Sequence, residues 1–376
     1  MTPDARPAPP MQAARARRAH PGDVRLLVMD PVSGRIAERA FATLPALLRR
    51  GDLVVVNDAG TRPSSLALTT AAGEPVEARL HMDAADDDGE RAAFSAVLFG
   101  PGDWRMDTDA RPAPPRVRAG DVLTARDAAG TAVGTATVVS VADLSLRLVR
   151  LRVDDALARA LFRLAAPVQY SYMGDALALG DVQTPYASRP WASEMPSAGR
   201  SLSVGVLVEL RRRGVEIARV TAAAGLSATG DPALDRLLPF PEPYEVPPDT
   251  VAALARTQAR GGRVIAVGTS TVRALESAAV DGAVRAGRAM ATLILGPAYA
   301  PRVVDAIVSG MHESGTSHDA VLRAFAPGEI VDRAIATGRA HGLLVHELGD
   351  HCIVLPGALP SPRTRVLDAG ALATTR

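Results

Sequence analysis

The chain has 376 residues, 47% apolar and 22% charged, ordinary values for a globular protein with room for two domains and a substantial core. Its 42 basic residues, all arginine, offset 41 acidic ones to a net charge of +1. No global field therefore demands a polyanion, and a Schiff-base lysine and a lysine-bearing phosphate loop are both excluded. The single cysteine, Cys352, excludes an internal disulfide and fits a reducing cytosol, and no apolar run reaches the ~20 residues that span a bilayer.

Residues 1–20 carry Arg, Pro and Ala without an apolar centre, so they read as a disordered tail rather than a secretory signal. Val24–Met29 reads as a strand, Phe41–Arg50 as a helix, and Leu53–Val56 as a buried strand ending at Asn57-Asp58. The texture then changes. Val76–Leu80, Ala93–Leu98, Val122–Ala125, Val133–Val141 and Ser145–Val153 alternate with period two between turn-formers, which predicts an antiparallel β-domain, a small barrel or sandwich. From Asp155 helices return. Ser203–Arg213 and Asp249–Arg260 each end in arginine and glycine and lead into strands Val215–Thr221 and Val264–Val267. Further on, the pattern predicts a strand at Thr292–Leu295, a helix at Val303–Val308, helices around Ala320–Phe325 and Ile330–Arg339, and a hairpin through Leu343–Leu355. Repeated αβ units imply a mostly parallel sheet or a barrel, with ligand loops at the carboxyl ends of its strands.

The densest joint is RVIAVGTSTVRALESAA (263–279). An apolar strand breaks at Gly268, which lets a ligand approach the main chain. Thr269 or Ser270 then caps a helix whose first N–H groups seat a carboxylate or a ribose hydroxyl. Arg273 opposes the helix dipole and so needs a reason to be there. The same joint also occurs in α/β proteins that bind nothing there. In the long irregular loop 182–203, Tyr186 and Trp191 either stack on a purine or anchor the loop. His312 follows an element of the α/β body and is the acid/base candidate, against the alternative of a structural histidine. His341, His346 and His351 recur every five residues, a spacing that fits no metal-ligand pattern, so no metal is expected. Arg211–Arg213 reads as a solvated helix end, and Cys352 as an inert buried thiol.

The segments GDLVVVND (51–58), VQTPY (182–186), RGVEIARVT (213–221), YEVP (244–247), RGGRVIAVGTSTVRALESA (260–278) and VVDAIVSGMH (303–312), in this order, resemble the S-adenosylmethionine:tRNA ribosyltransferase-isomerase family of queuosine biosynthesis. The resemblance runs from about Arg25 to Leu355. It implies a barrel-like α/β body (21–62 and 152–376) that carries an inserted antiparallel β-barrel-like domain (63–151). It also implies a cytoplasmic enzyme with S-adenosylmethionine as a substrate. The ribosyl carbons pass to the aminomethyl group of a 7-deazaguanine in tRNA and isomerise, with loss of adenine and methionine. The implied cofactor-binding residues are Gln183, Tyr186, Ser197, Ala198, Gly199, Gly225, Gly268, Thr269, Ser270 and Arg273, with Arg273 pairing the methionine carboxylate. The implied catalytic residues are His312 and Glu242. Departures are clear. Three family histidine positions fall at Ser201, within 222–224, and near Phe240, and the family's Thr-Arg is displaced to Thr61-Arg62. An alternative is therefore a paralogue that binds S-adenosylmethionine but acts on a small molecule, or cleaves it, without tRNA. A second is a non-catalytic binding protein.

Overall fold

The computed structural model describes residues 10–18, 23–81 and 93–359. The chain begins with β1 (Arg25–Met29), β2 (Ile36–Ala40), α1 (Leu44–Leu47) and β3 (Leu53–Asn57). Next come β4 (Ser65–Thr69), β5 (Pro75–His81), β6 (Ala93–Phe99), β7 (Val122–Arg126), β8 (Ala132–Ala142), β9 (Ser145–Val153) and α2 (Asp155–Leu164). The body resumes with α3 (Val204–Arg212), β10 (Glu216–Ala222), α4 (Pro232–Asp235), β11 (Glu242–Val246), α5 (Pro248–Ala259), β12 (Val264–Val267) and α6 (Thr269–Ser277). It ends with β13 (Ala279–Val280), β14 (Ala283–Val284), β15 (Gly287–Ala291), β16 (Ala306–Gly310), α7 (Ser317–Leu322), α8 (Gly328–Ala340) and β17 (His351–Val354).

Among the described residues nine strands form one mixed sheet, in the order β15-β11-β10-β3-β12-β16-β17-β1-β2. Its centre, β10-β3-β12-β16, is parallel. The apolar runs of β3 and β12 follow from this position. Leu53, Val55, Val264 and Ala266 enter the core under α5, α6 and α8, while Val54, Val56, Ile265 and Val267 enter the core under α1 and α3. A strand buried on both faces needs apolar side chains on both, which is why these runs are continuous rather than alternating. No helix of the described residues is long and apolar enough to cross a membrane.

Strands β4 to β9, which alternate, close a six-stranded antiparallel barrel in the order β4-β5-β6-β9-β8-β7. Its interior takes one face of each strand, including Leu66, Leu80, Leu98, Leu123, Val138 and Leu151. On its outside, Val97 and Phe99 pack against Val168, Tyr170 and Leu226, so β6 braces a segment of the body.

Several expected elements differ. The stretch expected as a helix at Val303–Val308 is strand β16 over Ala306–Gly310, because its residues are buried on both faces between β12 and β17. The expected hairpin at Leu343–Leu355 is instead one strand, β17, parallel to β1 and antiparallel to β16. Val345 pairs with the N-terminal segment, donating to Gln12 O at 3.0 Å and accepting from Ala14 N at 3.1 Å. That pairing corrects the reading of residues 1–20 as a free tail. Met11 and Ala14 are buried, and Arg18 donates to the buried Asp350 at 2.7 Å; residues 1–9 and 19–20 lie outside the described residues. The residues expected as a strand at Thr292–Leu295 lie outside any strand, just after β15 (Gly287–Ala291), which is the segment that pairs with β11; the expected helix Phe41–Arg50 shortens to a 3-10 turn and α1.

Candidate active site

The parallel strands β3, β10, β12 and β16 direct their carboxyl ends to the same edge of the sheet. At the end of β3, the Asn57 side chain accepts from Ala222 N–H at 2.9 Å and donates to Ala222 O at 2.9 Å, which clamps β3 to β10. Asp58 accepts from Thr221 Oγ1 at 2.6 Å and from Ser188 Oγ at 2.9 Å, which ties the long 182–203 loop to the same edge. Above this edge opens a cavity of about 720 Å³, lined from Asn57, 194–198, 224–228, 267–271, 309–318 and 346–347. Crevices at the carboxyl ends of parallel strands are the usual ligand sites of open α/β sheets, and this volume accommodates a small organic molecule.

One wall is the strand–turn–helix joint. Gly268 has φ +91°, a conformation that disfavours any residue with a Cβ, and a Cβ there would lie 3.5 Å from the Ala198 methyl. The first intrahelical bond of α6 runs from Val272 N to Gly268 O, so the N–H groups of residues 269–271 precede the helical ladder. Thr271 Oγ1 turns back to Val267 O at 2.6 Å, and Thr269 and Ser270 line the cavity.

Arg273 also lines the cavity, but its guanidinium is turned to protein acceptors. It forms an ion pair with Glu242 and donates to Leu293 O at 3.1 Å, Phe240 O at 3.1 Å and Ala291 O at 2.8 Å. Arg273, expected to pair with a ligand carboxylate, here pairs with Glu242 and holds that acid at the start of β11. Glu242 also accepts from Gly225 N–H at 2.7 Å. Gly225 has no room for a side chain, since a Cβ would lie 2.7 Å from His81 Cε1 and 3.1 Å from Glu242 Oε1. Burial pushes the Glu242 carboxyl up, although Arg273 and Gly225 oppose the shift.

His312 follows β16 and stacks on His318 of α7 with ring centroids 4.3 Å apart. Burial, then the neighbouring imidazole of His318, hold His312 well below the usual histidine range, and burial takes His318 down to about 4. Both are therefore neutral at pH 7 and add no positive charge to the cavity. Opposite them lies a group the sequence did not single out. Glu194 accepts hydrogen bonds from the Tyr170 hydroxyl, from Ser227 N–H at 2.9 Å and from the Ser227 hydroxyl. Glu347 accepts from the Tyr172 hydroxyl, and the Tyr172 ring lies between Tyr170 at 5.8 Å and His346 at 4.2 Å. Burial raises both acids, Glu194 to about 7.

Of the site residues expected from sequence, His312, Glu242, Ser197, Ala198, Gly225, Gly268, Thr269, Ser270 and Arg273 border this cavity. Gln183, Tyr186 and Gly199 do not. Gln183 Oε1 accepts from Thr61 N–H at 3.0 Å and its Nε2 donates to Thr61 O at 2.8 Å, bracing the loop after β3. The Tyr186 hydroxyl donates to Gly199 O at 3.3 Å, with its oxygen 2.0 Å from where a Cβ of Gly199 would stand, so these two residues support Ser197 and Ala198 from behind. Trp191 is sandwiched between the guanidinium groups of Arg189 at 4.5 Å and Arg288 at 5.2 Å, which favours loop anchoring over purine stacking. The three recurring histidines separate: His341 meets Glu38 at 2.7 Å, His346 stacks on Tyr172, and His351 packs edge-on to Phe41 at 4.8 Å.

A parallel-centred α/β sheet with a cavity at its carboxyl edge, lined by acids and histidines whose proton affinities burial has shifted, has the features of an enzyme's ligand site. The chain belongs to the family of queuosine biosynthesis proteins, whose sequence model matches residues 8–354. It is 34% identical over 336 residues to an S-adenosylmethionine:tRNA ribosyltransferase-isomerase of Anaeromyxobacter dehalogenans, covering 88% of this chain and 92% of that protein. It is 31% identical over 354 residues to the protein of the same description from Thermus thermophilus, covering 92% and 97%. A crystal structure of S-adenosylmethionine tRNA ribosyltransferase from Thermotoga maritima is 21% identical and aligns over 91% of this chain and 96% of that one, with a TM-score of 0.48.

Proposed function

We propose that the chain is an S-adenosylmethionine-dependent tRNA ribosyltransferase-isomerase. It moves the ribosyl carbons of S-adenosylmethionine to the aminomethyl group of a 7-deazaguanine in tRNA, rearranges them, and releases adenine and methionine. The observation that carries this reading is the clustering of family-like positions. Ser197, Ala198, Gly225, Thr269, Arg273 and His312 come from distant parts of the chain and border one cavity large enough for the nucleoside.

In this reading residues 21–62 and 152–376 form the ligand-binding body, and 63–151 an inserted domain that braces it. The N–H groups that open α6 receive the methionine carboxylate or the ribose hydroxyls, where the helix dipole favours negative charge. His312, and Glu242 positioned by Arg273 and Gly225, carry the proton transfers of the reaction. The reaction takes place in the cytoplasm, where tRNA is the acceptor.

Chromatographic measurement of adenine and methionine after incubation with S-adenosylmethionine tests the reading. Release that requires tRNA bearing the aminomethyl-deazaguanine supports it. Release without that tRNA would assign the chain to a paralogue acting on the ligand alone or on a small acceptor. Binding with no release in either condition would make it a binding protein.

A further inference from the structure

The charge of the cavity is one-sided. Among its described lining residues the sole arginine is Arg273, whose donors are spent on Glu242 and three backbone carbonyls, and the chain contains no lysine. The lining histidines His312, His318 and His346 are all held below their usual range by burial, so they add no positive charge at neutral pH. The lining acids are Asp109, Glu194, Asp235, Glu242, Glu313 and Glu347; Glu242 pairs with Arg273 and Glu313 with Arg339, whereas Glu194 and Glu347 bond to tyrosine hydroxyls and form no ion pair among the described residues. The reading as an S-adenosylmethionine enzyme, on which this inference rests, puts into this cavity a ligand with a sulfonium and an ammonium group. Both need anionic partners once water is displaced.

We propose that Glu194 is the counter-ion of the ligand's positive charge and so the residue that selects the charged ligand over its uncharged nucleoside fragments. Its surroundings suit that task. The carboxylate is fixed by three donors, from the Tyr170 hydroxyl and the Ser227 N–H and hydroxyl, which orient its oxygens without neutralising them. The groups facing it from the packed elements are Tyr170 and Tyr172 from the segment after α2, Glu347 from the loop before β17, Glu242 of β11, and Arg79 of β5. Arg79 is a cation that acts on Glu194 electrostatically, but its ion pair is with Glu77, 3.0 Å from its Nε, and its guanidinium lies over the rings of Phe99 at 4.5 Å and Tyr170 at 5.3 Å. With the cavity empty, burial keeps Glu194 partly protonated near pH 7. A cation beside it favours the carboxylate, so binding is coupled to release of a proton and strengthens as pH rises.

The test is isothermal titration of wild-type protein and E194Q with S-adenosylmethionine, and with uncharged 5′-deoxy-5′-methylthioadenosine, from pH 5.5 to 8.5. Wild-type affinity for S-adenosylmethionine should rise by up to about tenfold per pH unit below pH 7 and level off above it. In E194Q it should be at least ~tenfold weaker at pH 8 and independent of pH, with affinity for the uncharged nucleoside unchanged and flat in both proteins. Ser227→Ala, which removes one donor to the carboxylate, should move the midpoint of the wild-type curve upward. Retention of the pH slope in E194Q, or equal weakening of the charged and uncharged ligands, would overturn the proposal. Failure of wild-type protein to bind S-adenosylmethionine at any pH would remove the functional reading itself, and this inference with it.

Discussion

Arg273→Met is the sharpest test of the site's construction. The guanidinium is 2% exposed and forms one ion pair and hydrogen bonds to three carbonyls, drawing together α6, β11 and the chain around β15. Methionine keeps much of the length but none of the donors. Breaking a buried ion pair by removing one partner typically costs roughly 3–5 kcal/mol, a large part of a domain's total stability of roughly 5–15 kcal/mol. The cost should also depend on pH. Glu242, already raised above its ordinary 4.5 by burial, would lose its cation and rise further. An acid raised in the folded state costs nothing below its unfolded value, and it lowers stability as pH climbs from there toward the folded value. The deficit of the variant should therefore be smallest below pH 4.5 and grow toward neutrality. Urea unfolding followed by circular dichroism at pH 4.5 and 7.5 measures both. Arg273→Lys, which keeps the charge but lacks the planar fork, should fall between the two. A loss under ~1 kcal/mol at pH 7.5, or a deficit that shrinks as pH rises, would refute the assignment of Arg273 as the support of Glu242.

Other residues make separate predictions. Gly225→Ala forces a methyl against His81 and Glu242, so it should lower stability by roughly 1–3 kcal/mol and weaken S-adenosylmethionine binding, read by thermal shift with and without ligand. Glu276 is fully buried and accepts from the N–H groups of Arg302, Val303 and Val304 at 2.9–3.1 Å and from the Tyr299 hydroxyl at 2.9 Å. Glu276→Ala should cost about 3 kcal/mol or more in urea unfolding and leave the ligand affinity of the folded fraction unchanged, because this residue fixes the segment before β16 rather than lining the cavity. Glu194, raised to about 7, should make the wild type lose up to ~3 kcal/mol of stability as pH climbs from 4.5 to 7. E194Q should remove that slope in the absence of ligand.

The sequence made the scaffold legible where one physical rule dominated. The apolar runs of β3 and β12, rich in Val and Ile and bounded by Gly and Asn-Asp, read as strands covered on both faces, and the period-two runs from Val76 to Val153 as a barrel or sandwich. The turn at Gly268 was legible because positive φ and a helix start share one residue. The rule weakened where tertiary pairing decided. Ala306–Gly310 is as short and apolar as a helical turn, and only its place between β12 and β17 makes it a strand. Val345 lacked a visible partner because that partner is more than 300 residues away, near Gln12. Glu194 was hidden in a loop read for its Pro, Gly and Ser content, and nothing local marks an acid whose donors come from Tyr170 and Ser227. Arg273 was found for a sound reason, its unfavourable place at a helix start, but its partner proved to be Glu242 rather than a ligand.

On the proposed function, S-adenosylmethionine binds in the cavity above the carboxyl ends of β3, β10, β12 and β16. A crystal structure of the complex tests it most directly. The ligand should lie in that cavity, with its adenosine and amino-acid portions between the start of α6 and the wall formed by Glu194 and Glu347, and Arg273 still bound to Glu242. Ligand density in any other part of the molecule, with this cavity filled only by water, would contradict it.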